Sequence, residues 1–111
     1  MFRIEIEGHV GRDPEMRYLE DGTAVTSFSV AVNWTEKGQR KTEWVRCSAW
    51  RDLGDTVNQE LMKADLVRVR GSARTRLWRR DDGTMEKSLE ANITEFEKIG
   101  HAANDVISNR D

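Results

Sequence analysis

Apolar and polar residues alternate along most of this chain at a period of two, which is typical of a β-strand with one buried face. The first such run spans residues 1–10, where Phe2, Ile4 and Ile6 alternate with charged residues. Four further runs show the same period, and turn-forming residues separate them. The pattern therefore predicts five strands, over residues 2–10, 24–34, 43–51, 66–80 and 85–99.

The apolar face of each run predicts which side chains form the core. Successive side chains of a strand point to opposite faces, so one face of each run is assigned to the interior. The assigned positions are Phe2, Ile4, Ile6 and Val10, then Thr26, Phe28, Val30 and Val32, then Val45, Cys47 and Ala49, then Val67, Val69, Gly71, Ala73, Thr75 and Leu77, and finally Leu89, Ala91 and Ile93. A bulge is expected in the last strand before Phe96.

A single helix is predicted between the third and fourth strands. Leu53, Val57 and Leu61 recur every four residues, and Asp52 is the predicted N-cap. With no alternation of strands and helices, the elements favour a closed or partly open antiparallel barrel, all-β with one short helix.

Three segments carry turn signals. The segment Gly11–Glu15 contains a proline and has turn chemistry, and a loop or a single helical turn is predicted to follow it. Residues 35–42, TEKGQRKT, are polar and predict a mobile hairpin tip. The sequence Asp81-Asp82-Gly83 predicts a second hairpin.

Composition limits the class of protein. A chain of 111 residues fits one domain, assigned to residues 1–99, followed by a flexible tail over residues 100–111 that has no usable period. No apolar run approaches the roughly 20 residues that span a bilayer, and the N-terminus lacks a signal-peptide pattern. The single cysteine, Cys47, excludes an internal disulfide and fits a reducing environment. A cytoplasmic protein is therefore expected.

Basic charge is concentrated in the fourth predicted strand. Residues 66–80 hold six arginines and no acid, although the whole chain has a formal net charge of -2. One face of this strand carries Arg68, Arg70, Arg74, Arg76 and Trp78. Guanidinium groups pair with phosphates and an indole stacks on bases, so this face indicates nucleic-acid binding. A merely solvated charged face is the alternative interpretation.

The third predicted strand adds aromatic residues of the same kind. Trp44, Arg46 and Trp50 fall on its outer face, opposite the core positions. An exposed aromatic pair indicates a binding partner, and packing against a neighbouring strand or subunit is the alternative.

Enzymatic chemistry is not indicated. The chain shows no nucleophile–base pair in a recognisable setting, no glycine-rich phosphate loop and no metal-ligand spacing. The acids Asp13, Glu15, Glu20 and Asp21 are interpreted as solvated turn residues, not as metal ligands. The sequence therefore predicts no catalytic residue, no metal and no cofactor.

Six motifs resemble the bacterial single-stranded DNA-binding protein family in order and spacing, over residues 1 to about 99. They are Gly11-Arg12-Asp13-Pro14-Glu15-Met16-Arg17, Gly22, Phe28-Ser29-Val30-Ala31-Val32-Asn33, Thr42-Glu43-Trp44, Val67-Arg68-Val69-Arg70-Gly71 and Arg74-Thr75-Arg76-Leu77-Trp78. The resemblance implies a five-stranded OB-fold barrel that binds single-stranded DNA with little sequence preference. It also implies a role in DNA replication, recombination and repair, usually as a homotetramer.

The resemblance further implies which residues bind the strand. The stacking residues would be Trp44, Trp50 and Trp78, with Trp34 close to a further stacking position. The phosphate-binding residues would be Arg46, Arg68, Arg70, Arg74 and Arg76, supported by the hairpin residues Lys37, Arg40 and Lys41.

Two features depart from the family pattern. Glu5 and Glu7 stand where the first strand usually has apolar residues, and that strand normally contributes to subunit pairing, so a dimer is the fallback to a tetramer. The family's long linker and acidic tip are not recognisable after residue 99, so the usual tip-binding partners are not expected. Single-stranded RNA binding remains an alternative function. A primosome or recombination accessory subunit that binds mainly protein is another.

Overall fold

The computed structural model of this protein describes residues 1–100, which form six strands and one helix. The elements are β1 (Arg3–Val10), β2 (Glu15–Tyr18), β3 (Ala24–Glu36), β4 (Gln39–Trp50), α1 (Arg51–Glu60), β5 (Leu66–Arg79) and β6 (Met85–Gly100). The expectation of a flexible tail concerns residues 101–111, which lie outside the described part of the chain. No helix within residues 1–100 has the length and apolar character needed to cross a membrane.

Five strands close into a barrel in the order β1-β5-β6-β4-β3, and β3 returns to β1 through the pairs of His9 with Ala31 and Val10 with Val30. All pairs within the ring are antiparallel except β4 and β6, which run parallel. The helix connects β4 to β5, as in an OB-fold. The prediction of an all-β OB-fold barrel with one short helix is therefore confirmed.

The interior contains the predicted apolar faces. Val30, Val45, Cys47, Val67 and Val69 are almost completely buried, and they belong to one hydrophobic cluster with residues of every barrel strand. Burial raises the pKa of the Cys47 thiol to about 12, so this cysteine remains protonated and packs as a small apolar residue.

The predicted core was too long at two places. Phe2 precedes β1 and is 66% exposed, and Leu77 is 61% exposed while Thr75 is also exposed. β1 pairs with β5 only as far as Ser72, so the second half of β5 extends with β6 beyond the barrel. Alternation continues there, but no opposing layer covers the apolar side.

The segment predicted as a loop or helical turn contains β2. Glu15–Tyr18 pairs in antiparallel fashion with Ala24–Ser27 of β3. Met16 and Tyr18 alternate with Glu15 and Arg17, but the run is only four residues long and all four side chains are exposed, so no buried face marks it as a strand. Backbone hydrogen bonding to the edge of β3 decides its conformation.

The predicted hairpin tip is mostly paired strand. β3 and β4 remain in register up to Glu36 and Gln39, and only Lys37 and Gly38 form the turn. Both turn residues have positive φ, 50° and 77°, as a two-residue hairpin turn requires. This extension lacks a buried face, so its strand character is invisible in the polar pattern.

The helix begins two residues earlier than the apolar spacing indicated. Trp50 is its N-cap residue and makes no side-chain capping bond, whereas Asp52, the predicted cap, lies in the first turn. A carboxylate there still interacts favourably with the helix dipole. The bulge expected before Phe96 is confirmed, because the β5–β6 register shifts opposite Thr94.

A buried ion pair ties the end of the helix region to β6. Asp65 is completely buried, and its Oδ2 accepts a hydrogen bond from the Met62 N–H at 2.9 Å and lies 3.3 Å from Nζ of Lys98. The Asp65 carbonyl accepts a further bond from the Val10 N–H at 2.9 Å. The turn that contains Asp65 is therefore stabilised by Lys98, which neutralises the charge of the buried carboxylate.

We expect Lys98→Met to lower the free energy of unfolding by about 3 kcal/mol, because it removes the cation of a buried carboxylate. The matched variant Lys87→Met, at an exposed position of the same strand, should change it by less than about 0.5 kcal/mol. Urea denaturation measures both values. Equal effects of the two substitutions would contradict the assigned role of Lys98.

Candidate nucleic-acid interface

One outward face of the barrel brings aromatic and basic side chains together. Three adjoining depressions of about 390, 350 and 400 Å³ cross β3, β4 and the β5–β6 hairpin, and Arg46 lines all three. The predicted site residues along them are Trp44, Arg46, Trp50, Arg74, Arg76 and Trp78. We refer to this surface, defined by those six residues, as the tryptophan groove.

Strand pairing explains why residues from distant parts of the sequence meet there. The parallel register places Arg46 of β4 beside Glu90 of β6, and the antiparallel register places Arg74 of β5 on the other side of Glu90. Only β6 lies between β4 and β5, so the outer faces predicted for these two strands are about 10 Å apart.

Trp44 lies against the backbone of Gly11. A Cβ atom built on Gly11 would be 2.6 Å from Cζ3 of the indole, so this close approach requires glycine. The Gly11 N–H in turn donates to the Ser29 carbonyl at 2.9 Å. The indole remains 53% exposed, which leaves area for a ligand.

The other two indoles of the groove are also partly exposed. Nε1 of Trp50 donates to Oδ1 of Asn92 at 3.1 Å, which anchors the polar edge of a side chain that remains 39% exposed. Trp78 lies across from Glu86 on the β5–β6 hairpin and is 42% exposed. Trp50 thus combines a protein contact with exposed aromatic surface, and Trp78 adds a second partly exposed ring.

The groove has an excess of positive charge. Arg17, Arg46, Arg74 and Arg76 line its 350 Å³ depression together with a single carboxylate, Glu90. Nε of Arg74 lies 3.5 Å from Oε1 of Glu90, and Nη1 of Arg76 lies 3.7 Å from Oε2. Both arginine side chains are mostly exposed, so their guanidinium groups are accessible to an anion.

Arg68 and Arg70 lie elsewhere on the surface. The depression that they line contains Glu95, Phe96 and Glu97 and shares no residue with the three depressions of the groove. Strand β1 approaches this part of β5 and contributes two further carboxylates. The sequence placed these arginines on one face with Arg74 and Arg76, but the structure does not bring the two pairs into one depression.

Four carboxylates surround these two guanidinium groups. Arg68 is 3.1 Å from Glu7 and 3.5 Å from Glu97. Arg70 is 3.0 Å from Glu95 and 2.9 Å from Glu5, and the hydrogen bonds that its guanidinium group donates to these two carboxylates raise the pKa of Arg70. The local field here is less favourable to a phosphate than the field in the groove.

The remaining predicted residues lie on the β3–β4 hairpin. Lys37 is in the turn, Arg40 pairs with Thr35, and Lys41 pairs with Trp34. By strand alternation, Arg40 points to the same side as Trp44, whereas Trp34 and Lys41 point to the opposite side. Trp34 is 44% exposed but does not line the three depressions of the groove.

Sequence reasoning missed several residues of the groove. Gly11 and Arg17 lie within the first family motif but were not assigned to the site. Alternation would have placed Glu90 and Asn92 opposite Leu89 and Ala91, on the outer face of the last strand. Their contacts with β4 depend on the β4–β6 pairing, which no local pattern indicates.

Comparison with known proteins gives a consistent result. Residues 1–99 match the single-strand binding protein family. The chain is 34% identical over 103 residues to the single-stranded DNA-binding protein of Neisseria meningitidis serogroup A, covering 88% of this chain and 59% of that protein. It is 31% identical over 104 residues to single-stranded DNA-binding protein 1 of Xylella fastidiosa, covering 88% of this chain and 76% of that protein.

A solved structure supports the fold. The crystal structure of the small single-stranded DNA-binding protein from Streptomyces coelicolor is similar with a TM-score of 0.73 and 22% identity, covering 87% of this chain and 93% of that chain. At this identity the likeness establishes the architecture alone.

The packing of Trp44 on Gly11 can be tested directly. We expect Gly11→Ala to displace the indole, because the added methyl group would overlap the ring. In a nitrogen-15 NMR spectrum, the indole N–H signal of Trp44 should shift more than those of the other tryptophans. The control Gly100→Ala, where the nearest atom is 3.4 Å away, should leave all four signals in place. An unchanged Trp44 signal in Gly11→Ala would contradict the contact.

Proposed function

Because the chain belongs to the single-strand binding protein family over residues 1–99, we propose that it binds single-stranded DNA with little sequence preference. The observation that carries this proposal is the tryptophan groove, where three partly exposed indoles alternate with exposed arginines. We further propose that binding protects single strands in DNA replication, recombination and repair, without catalysis by this chain.

In the proposed mechanism, base stacking and phosphate pairing both contribute to the binding free energy. Bases stack on Trp44, Trp50 and Trp78, for about 1–3 kcal/mol each. Phosphates pair with Arg46, Arg74 and Arg76 along the same groove. Every base has a π-face, so stacking gives little discrimination among sequences. The formal net charge of -2 does not oppose this mechanism, because salt screens distant charges beyond about 8–10 Å.

The other predicted residues have a supporting role in this proposal. Lys37 and Arg40 extend the positive surface along the hairpin, and Trp34 and Lys41 lie on its other side. Arg68 and Arg70 remain predicted phosphate contacts, but carboxylates of the same chain already neutralise them. We therefore expect Arg68 and Arg70 to contribute less to DNA affinity than Arg74 and Arg76.

Variants of the groove separate stacking from charge. Replacing Trp44, Trp50 or Trp78 by Ala should each weaken binding to oligo-dT by about 1–3 kcal/mol at every salt concentration, because stacking releases no counterions. Replacing Arg74 and Arg76 together by Met should lower the slope of log K against log salt by up to about 1.4, at roughly 0.7 per phosphate contact. Fluorescence titrations at several salt concentrations measure both quantities.

The matched control for the charge variant is Arg68→Met with Arg70→Met, which removes the same charge from the same strand. In this control, the slope of log K against log salt should change by less than half as much as in the variant that lacks Arg74 and Arg76. If the tryptophan variants bound like the wild type, the stacking mechanism would be wrong. Tighter binding to oligo-U would favour the RNA alternative, and no oligonucleotide binding at all would favour a protein-binding accessory role. Melting temperatures of all variants exclude loss of structure.

We also propose that the protein forms a homo-oligomer, a tetramer or at least a dimer. Within the described residues, the edge of β1 that faces away from β5 pairs with β3 only at His9 and Val10. An open strand edge favours association. Glu5 and Glu7 each lie within 3.1 Å of an arginine of their own chain, so their charges oppose subunit pairing less than the sequence suggested.

Light scattering tests this assembly. We expect a mass of at least twice the 12.8 kDa of one chain at micromolar concentration. A mass near that of one chain, unchanged on raising the concentration tenfold, would contradict the proposal.

A further inference from the structure

Among residues 1–100, Glu90 is the one carboxylate that lines the 350 Å³ depression of the tryptophan groove, together with four arginines. The exposed fraction of its side chain is 18%, compared with 76% for Arg74 and 67% for Arg76. The carboxylate therefore lies at the floor of the groove, while the two guanidinium groups extend toward the solvent.

The contacts of Glu90 with these arginines are loose. Their shortest distances are 3.5 and 3.7 Å, and neither is a hydrogen bond. By contrast, Arg70 lies 3.0 Å from Glu95 and Arg80 lies 2.6 Å from Glu86, and both of these contacts are hydrogen bonds. Pairs without a hydrogen bond are more easily exchanged for a stronger partner, such as a phosphate.

We propose that Glu90 is an internal counter-charge that competes with DNA phosphates for Arg74 and Arg76, and that it thereby limits the affinity of the groove. The inference rests on the proposed binding of single-stranded DNA. Before binding, the carboxylate neutralises part of the guanidinium charge. After binding, it remains beneath the phosphates and repels them.

An opposite role for Glu90, that of holding the arginines in position, is weaker on physical grounds. Exposed ion pairs contribute little, because solvent screens them and ordering two long side chains has an entropic cost. The pairing of β5 with β6 already fixes the backbone from which both arginine side chains extend, without any contribution from Glu90. At low salt, the repulsion between the Glu90 charge and phosphates a few ångströms away has a larger effect on DNA affinity than any positioning of the arginines.

The test replaces Glu90 by Gln, which has the same shape and keeps a carbonyl acceptor but removes the charge. We expect Glu90→Gln to bind oligo-dT about 3- to 10-fold more tightly than the wild type at low salt. This advantage should fall below about twofold at high salt, because screening removes the repulsion.

Glu95→Gln is the matched control. It lies on the same strand and produces the same change in net charge, but its carboxylate pairs with Arg70 outside the groove. We expect its affinity to stay within about twofold of the wild type. Equal gains in the two variants would show an effect of net charge alone and would overturn the proposal. Unchanged or weaker binding by Glu90→Gln would overturn it as well.

A second measurement tests whether Arg74 and Arg76 exchange Glu90 for DNA phosphates. In a background with Arg74→Met and Arg76→Met, the substitution Glu90→Gln should tighten binding by less than half the factor found in the wild-type background. A full gain in that background would show that Glu90 does not act through these arginines.

The wild-type protein offers a test that needs no substitution. The side-chain Nε–H NMR signal of Arg74 should shift on adding oligo-dT, and it should shift more than that of Arg70. An unchanged Arg74 signal at saturating oligo-dT would contradict the exchange. If the wild type does not bind oligo-dT, the proposed function fails and this inference with it; if it binds but Glu90→Gln gains nothing, only the role of Glu90 fails.

Discussion

The short parallel ladder between β4 and β6 is the contact on which the groove depends. It joins Val45–Ser48 to Leu89–Asn92 and closes the barrel between strands that are far apart in sequence. Through it, the outer face of β4 becomes continuous with the outer face of the β5–β6 hairpin. Without this ladder, Trp44 and Trp50 would be separated from Trp78, and the groove would not be continuous.

The closed barrel also explains why the groove can be rigid. An interior filled mainly by valines, with Phe28 as a buried aromatic side chain, leaves Trp44, Trp50 and Trp78 on the outside. Two of the indoles then receive specific support, Trp44 from the backbone of Gly11 and Trp50 from the amide of Asn92. Restricting an indole before binding lowers the entropic cost of stacking a base on it.

The arginines of strand β5 differ in how closely their guanidinium groups are paired with carboxylates of the same chain. Near β1, Arg68 and Arg70 are closely paired with carboxylates of two strands, Glu5 and Glu7 of β1 and Glu95 and Glu97 of β6. Farther along β5, the ion pairs of Arg74 and Arg76 within residues 1–100 are the longer contacts with Glu90, at 3.5 and 3.7 Å. The tightness of the internal ion pair therefore determines which arginines can give their charge to a ligand. In this protein the neighbouring strand sets that tightness.

Alternation by itself determined the strands that have a buried face, the interior positions such as Val45 and Cys47, and the outward direction of Trp44 and Trp50. A period of two follows from the geometry of a single strand, so no knowledge of the partners is needed. The same reasoning failed for β2 and for the extension of the β3–β4 hairpin, because neither has a buried face. Only the tertiary structure separated Arg68 and Arg70 from the groove and brought Glu90 into it. Those outcomes depend on which strands are neighbours, and barrel closure through contacts distant in sequence decides that.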